Sequence, residues 1–129
     1  MNDLPRIDCP FCRVPDGRVI DSNAHAFMIE DAFPVAPGHM LIVSRRHVES
    51  FFDLREDEVA NMLALLRLAK AWVDERHRPS GYNVGINIGA DAGQTVMHVH
   101  LHLIPRESGD VAEPQGGVRN LIPGKGAYK

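Results

Sequence analysis

Apolar residues are spaced in three different ways along this chain, and the changes of spacing divide it into elements. Between Arg18 and Asp31, Val19, Ile20, Phe27 and Ile29 fall among polar residues, which predicts extended chain with Asp21-Ser22-Asn23 as a hairpin turn. Pro34, Pro37 and Gly38 mark a loop, and His39–Arg46 surrounds Met40-Leu41-Ile42-Val43, a buried strand. After Arg55 the period lengthens. Val59, Met62, Leu63, Leu66, Ala69, Trp72 and Val73 follow the spacing of an amphipathic helix over Arg55–Arg78. Glu56, Asp57 and Glu58 at its start and Arg76, His77 and Arg78 at its end complement the helix dipole, and Pro79-Ser80-Gly81 stops it. Alternation returns in Tyr82–Ile88, a glycine-flanked turn follows at Gly89–Gly93, and Met97–Ile104 is the clearest strand. The order β-β-β-α-β-β predicts an α+β domain, one antiparallel sheet of about five strands with a long helix on one face.

Residues 1–110 are expected to form this one domain. Glu107–Lys129 shows no period and is rich in glycine. Residues 111–129 are therefore expected to be an irregular tail, packed on the domain or on a dimer partner. A net charge of −3 offers no broad basic surface for nucleic acid or an anionic membrane. No run of about 18 apolar residues is present, and Met1–Ile7 lacks the layout of a signal peptide, so a cytoplasmic location is expected. An anionic ligand must then be held by local donors. Arg119 or Lys125, in the tail, is the expected source of positive charge near such a ligand.

Histidine is concentrated: seven in 129 residues, with His98, His100 and His102 alternating with Val99, Leu101 and Leu103. Side chains on a strand alternate faces, so the apolar three point to the core and the imidazoles line the other face. Successive imidazoles are then roughly 6.5–7 Å apart at Cα, a spacing that suits a phosphate bridging two rings. It also suits a metal if further ligands arrive from elsewhere.

His98-Val99-His100-Leu101-His102-Leu103-Ile104 resembles the signature of the histidine-triad superfamily. Gly93-Gln94-Thr95-Val96, Pro105-Arg106, Pro37-Gly38-His39 and Phe52-Asp53-Leu54 match as its flanks, and the resemblance runs from about Cys9 to Asp110. It implies the histidine-triad fold and a nucleotide hydrolase or transferase that works through a covalent nucleotidyl-histidine. His100, the middle histidine, attacks the α-phosphorus. That needs a neutral ring with one nitrogen free and the other anchored as a donor. His98 and His102 flank the phosphoryl oxygens, with His102 serving the leaving group. No catalytic divalent ion is required by this scheme. Asp31 stands at the ribose-binding position, Asn87, Gln94 and Thr95 are placed to meet the phosphate, and His39 is kept close to the triad.

Cys9-Pro10-Phe11-Cys12 superficially resembles a redox dithiol, but Arg13-Val14-Pro15-Asp16-Gly17 supplies no following helix. Many bacterial triad proteins carry a C-x-x-C and two later histidines that hold structural zinc. Here 34 residues separate Cys12 from His47, and 50 separate His47 from His98. The resemblance therefore implies zinc on Cys9, Cys12, His47 and His98, with inert reduced thiols as the alternative. His98 cannot hold zinc and touch substrate at once. If it holds zinc, His100 and His102 do the phosphate work.

Val48–Val59, Gly93–Val96 and Pro105–Asp110 resemble the dinucleoside-polyphosphate hydrolases, the fragile-histidine-triad branch, with diadenosine tetraphosphate as the type of substrate implied. The cysteines and the tail from Gly116 look bacterial. Nucleoside phosphoramidase is the second reading, and a non-catalytic nucleotide-binding module the third. The resemblance also implies a homodimer formed through the long helix and a strand, for which Tyr82–Ile88 is apolar enough to need cover.

Overall fold

In the computed structural model, residues 4–126 are described, and they build one five-stranded sheet covered by one helix. The strands are β1 (Asp21–Ser22), β2 (Ala26–Glu30), β3 (Met40–Ser44), β4 (Gly81–Gly85) and β5 (His100–Arg106), and the helix α1 spans Glu56–His77. Their order across the sheet is β1-β2-β3-β5-β4, and every neighbouring pair is antiparallel. The expected α+β class and element order hold.

Helix boundaries fall one residue inside the expected ones. Glu58 accepts the Arg55 backbone N–H at 2.8 Å, which closes the first turn. Arg78 ends the helix in the left-handed conformation at φ 49°, immediately before Pro79. Met62, Leu65, Ala69 and Val73 are fully buried against Met28, Met40, Ile42, Leu101 and Leu103. Leu63, expected on this face, is 47% exposed, and Leu65 takes the inward place. The inward residues recur at intervals of three and four, and Leu63 falls outside that row. Tyr82 fastens the helix to β4 by donating to Asp74 at 2.7 Å.

Three strands end differently from expectation. The first hairpin turns at Asn23–His25, because the Asn23 side-chain oxygen accepts the backbone N–H groups of His25 and Ala26, while Asp21 and Ser22 pair with β2. β5 starts at His100 and runs to Arg106, so Met97 and His98 precede it. There the His98 N–H turns back to the Val96 carbonyl at 2.8 Å. β4 stops at Gly85, short of Ile88.

β2 and β3 are buried on both faces. Opposite the helix, Phe27, Ile29, Leu41 and Val43 are covered by Phe11, Val14 and Val19 of the N-terminal segment. His100 lies across from Val43, and His102 across from Leu41, so both histidines share that second face. Val99, Leu101 and Leu103 belong to the helix-side core, as the alternation requires.

The tail holds a short 3-10 turn at Gly117–Leu121. Arg119 donates to the carbonyls of Lys125 and Gly126 within the tail. Residues 127–129 lie outside the described residues.

Candidate active site and metal centre

β3 and the turn before β5 bring four ligand-type atoms together. Cys12 N–H bonds the Cys9 carbonyl at 3.1 Å, a tight turn that turns both thiols toward the sheet. Cys9 Sγ lies 3.4 Å from His98 Nδ1, and Cys12 Sγ lies 3.1 Å from His47 Nδ1 and 3.5 Å from His98 Nδ1. The two Nδ1 atoms are 3.2 Å apart. Tetrahedral zinc with ordinary bond lengths needs its donors roughly 3.3–3.8 Å apart. These four distances lie within a few tenths of an ångström of that range, and all four donor atoms lie within 4.8 Å of one another. His98 is fully buried, and its Nε2 donates to the Ser44 carbonyl at 2.6 Å. That bond leaves Nδ1 with its lone pair, the form a metal ligand requires. Burial also lowers the His98 pKa to about 4, which keeps the ring neutral.

The next histidine has the opposite arrangement. His100 Nδ1 donates to the His98 carbonyl at 2.7 Å, which leaves the His100 Nε2 lone pair free to attack an electrophile. Phe11, carried between the two cysteines, packs edge-on against His100 with ring centroids 4.8 Å apart. Sequence reasoning passed over Phe11, although its place inside C-P-F-C was the available signal.

His102 stands beside His100, ring centroids 5.2 Å apart. The Val35 backbone N–H donates to His39 Nδ1 at 3.2 Å, so His39 carries its proton on Nε2. That Nε2 lies 2.9 Å from His102 Nδ1 and 3.3 Å from an Asp31 oxygen. His102 Nδ1 therefore accepts, and its Nε2 carries the proton. Burial lowers the pKa of both rings, that of His102 to about 4, so each is a neutral hydrogen-bond donor near pH 7. One free lone pair next to one N–H is an arrangement for attack on phosphorus with a donor at hand for an oxygen or a departing group.

The remaining expected residues divide. Asp31 is close to the pair His39–His102, and its other oxygen accepts the Phe33 N–H at 2.8 Å. Asn87 and His102 line one cavity of about 380 Å³, together with Ile104 of β5 and Val118 and Leu121 of the tail turn. Gln94 is buried with its amide spent on the backbone: it accepts from Gly89 N–H and donates to the carbonyls of Glu49 and Val96. Thr95 is exposed at the rim of a separate cavity beside Cys9 and His47.

Comparison with known proteins identifies this geometry. The profile of the HIT domain matches residues 13–109. The chain belongs to the HIT family. The HIT match opens one residue after Cys12, so the cysteine turn precedes it. A HIT-like protein of Saccharolobus solfataricus is 35% identical over 106 residues, covering 79% of this chain and 76% of its own length. The AP-4-A phosphorylase of Mycobacterium tuberculosis is 33% identical over 107 residues, covering 78% of this chain and 55% of that longer protein. Among solved structures, a zinc-bound histidine triad family protein from Mycobacterium smegmatis is 34% identical with a TM-score of 0.72, covering 83% of this chain and 81% of that one. No helix among the described residues of this HIT protein is long and apolar enough to cross a membrane.

Proposed function

We propose that this HIT protein cleaves a nucleotide at its α-phosphate, with His100 as nucleophile and a nucleotidyl-histidine as intermediate. The observation that carries this reading is the His100 Nδ1–His98 carbonyl bond of 2.7 Å, which presents Nε2 as a lone pair beside the N–H of His102. In the first step Nε2 bonds to phosphorus and the bond to the leaving group breaks. His102 Nε2–H bonds to the departing atom. Water then attacks phosphorus and restores free His100. Asp31, from the end of β2, takes the ribose hydroxyls, exchanging its contact with His39 for them, and Asn87 meets the phosphate. His98 and Gln94 support the site from behind, His98 through its carbonyl and Gln94 by holding the Gly89–Val96 loop.

Dinucleoside polyphosphates, diadenosine tetraphosphate foremost, are the substrate class. Similarity to a protein named AP-4-A phosphorylase supports this. One observation favours the second reading, a nucleoside phosphoramidate: the cavity beside His102 is lined by no Asp, Glu, Lys or Arg among the described residues. A polyphosphate leaving group would meet no cation there, whereas an amine or other uncharged group needs none.

Cys9, Cys12, His47 and His98 hold structural zinc, which ties the N-terminal turn to the sheet and supplies no reacting atom. The chain acts as one domain, residues 1–110, with tail 111–129 against it, residues 1–3 and 127–129 of these lying outside the described residues. It pairs as a homodimer through the long helix and the open edge of β4, where Val84 is 45% exposed. It works in the cytoplasm without nucleic acid.

The test is mass spectrometry of acid-quenched protein after mixing with diadenosine tetraphosphate or with an adenosine phosphoramidate. A nucleotidyl adduct on the His100 peptide supports the reading. Ligand binding with neither adduct nor turnover would overturn it and leave a binding module.

A further inference from the structure

Two contacts join the cysteine turn to the nucleophile. The first runs through one residue: His98 presents Nδ1 to Cys9 and Cys12, while its carbonyl accepts the His100 Nδ1–H. The second runs through Phe11, which lies between the cysteines and packs on the His100 ring at 4.8 Å. Both features that hold His100 in place are therefore anchored on the same four-ligand cluster. The cluster is also reachable. Cys12 and Phe11 line a cavity of about 570 Å³ at the surface, and Cys9 lines another of about 290 Å³.

Resting on His100 as the nucleophile, we infer that Cys9 and Cys12 form a redox-controlled positioning device for the reaction, whose oxidation to a disulfide releases His98 and Phe11 and slows attack by His100. The oxidant is hydrogen peroxide. The two thiolates give up one electron pair as the S–S bond forms. The peroxide O–O bond takes that pair, and with two protons from solvent it leaves as two waters. Any metal held by the cluster loses two of its four donors, and both of its anionic ones, in the same step. Bonded sulfurs must also come closer together than two sulfurs on a tetrahedral ion, so the turn rewinds with Phe11 inside it. The His98 ring then loses both thiolate partners at Nδ1 and keeps its Nε2 bond to Ser44. A displacement of about 1 Å in a reacting group is enough to cost on the order of a hundredfold in rate.

The experiment treats the reduced, metal-loaded chain with hydrogen peroxide and follows four signals. They are zinc release to a chromogenic chelator, loss of two mass units, the rate of adduct formation on His100, and the 15N imidazole spectrum of His100. The expected result is one zinc released per disulfide, at least a tenfold slower adduct rate and loss of the single Nδ1–H tautomer, all reversed by a dithiol with added zinc. Phe11→Ala should keep its zinc and release it to peroxide normally, yet form adduct several-fold more slowly before any oxidation. A Cys9–Cys12 disulfide with unchanged adduct rate and unchanged His100 spectrum would overturn the inference, as would oxidation confined to other residues. Absence of adduct in the reduced protein would instead overturn the assignment of His100 as nucleophile.

Discussion

The His98 carbonyl and His100 Nδ1 are 2.7 Å apart, two residues along one chain, and this bond sets which His100 nitrogen is free. Because the acceptor is backbone, no side-chain substitution removes it directly. His100→Ala should lower turnover by several orders of magnitude, as loss of an essential nucleophile does. The fold should survive, since His100 lies on the face away from the helix-side core. Nucleotide binding, followed by calorimetry, should persist through Asp31 and Asn87. Retention of more than about a tenth of the wild-type rate would mean that another group attacks phosphorus.

His102→Ala should behave differently. In the proposed mechanism its ring donates to the departing atom and forms no bond to phosphorus, so the loss should be small for a good leaving group and large for a poor one. Rates on a series of nucleotide esters with graded leaving-group pKa give the slope, which should steepen in the variant. An equal loss across the series would place His102 outside the leaving-group step.

Purified protein should contain close to one zinc per chain by elemental analysis. Cys12→Ser should lose it. The melting temperature should fall by roughly 10 °C, the shift expected for about 2–3 kcal/mol in a domain of this size. Stoichiometric binding of zinc by the variant would mean that the donor set is different.

Glu58 is fully buried and accepts two hydrogen bonds from the Arg46 guanidinium, which lowers its pKa to about 2. A depressed carboxylate stabilises the fold above its unfolded pKa, near 4.5, and that contribution is lost as pH falls from there toward 2. The amount is on the order of 3 kcal/mol. Urea titrations of wild type and Glu58→Gln between pH 7 and pH 3 should converge as the pH drops. A constant gap between them would show that the pair does not carry this linkage.

Gly38 has φ +89°, and a Cβ there would sit 2.8 Å from the His77 ring at the end of α1. Gly38→Ala should cost about 1–3 kcal/mol from backbone strain and this overlap. It should also lower kcat, because the next residue, His39, sets the His102 tautomer. Denaturation at several urea concentrations checks the first expectation and steady-state kinetics the second.

Periodicity alone carried the helix, the strand order along the chain and the strand that holds His100 and His102 on one face, because these depend on residues only two to four positions apart. Local patterning is also why His100 and His102 were legible as a pair. Tertiary structure decided everything that depends on partners far away in sequence. Asn23 fastened the hairpin turn to the helix by donating its amide to the Asn61 carbonyl, 38 residues away, and Leu65 displaced Leu63 because the inward row is set by where the sheet lies. Gln94 became a loop brace once Glu49, 45 residues away, supplied a carbonyl for its amide. His98 turned to the cysteines, nearly ninety residues back in the chain, leaving its carbonyl for His100. Spacing in the sequence places a histidine on a face. Which nitrogen holds a proton, and which is free to react, depends on hydrogen-bond partners that only the folded chain brings within reach.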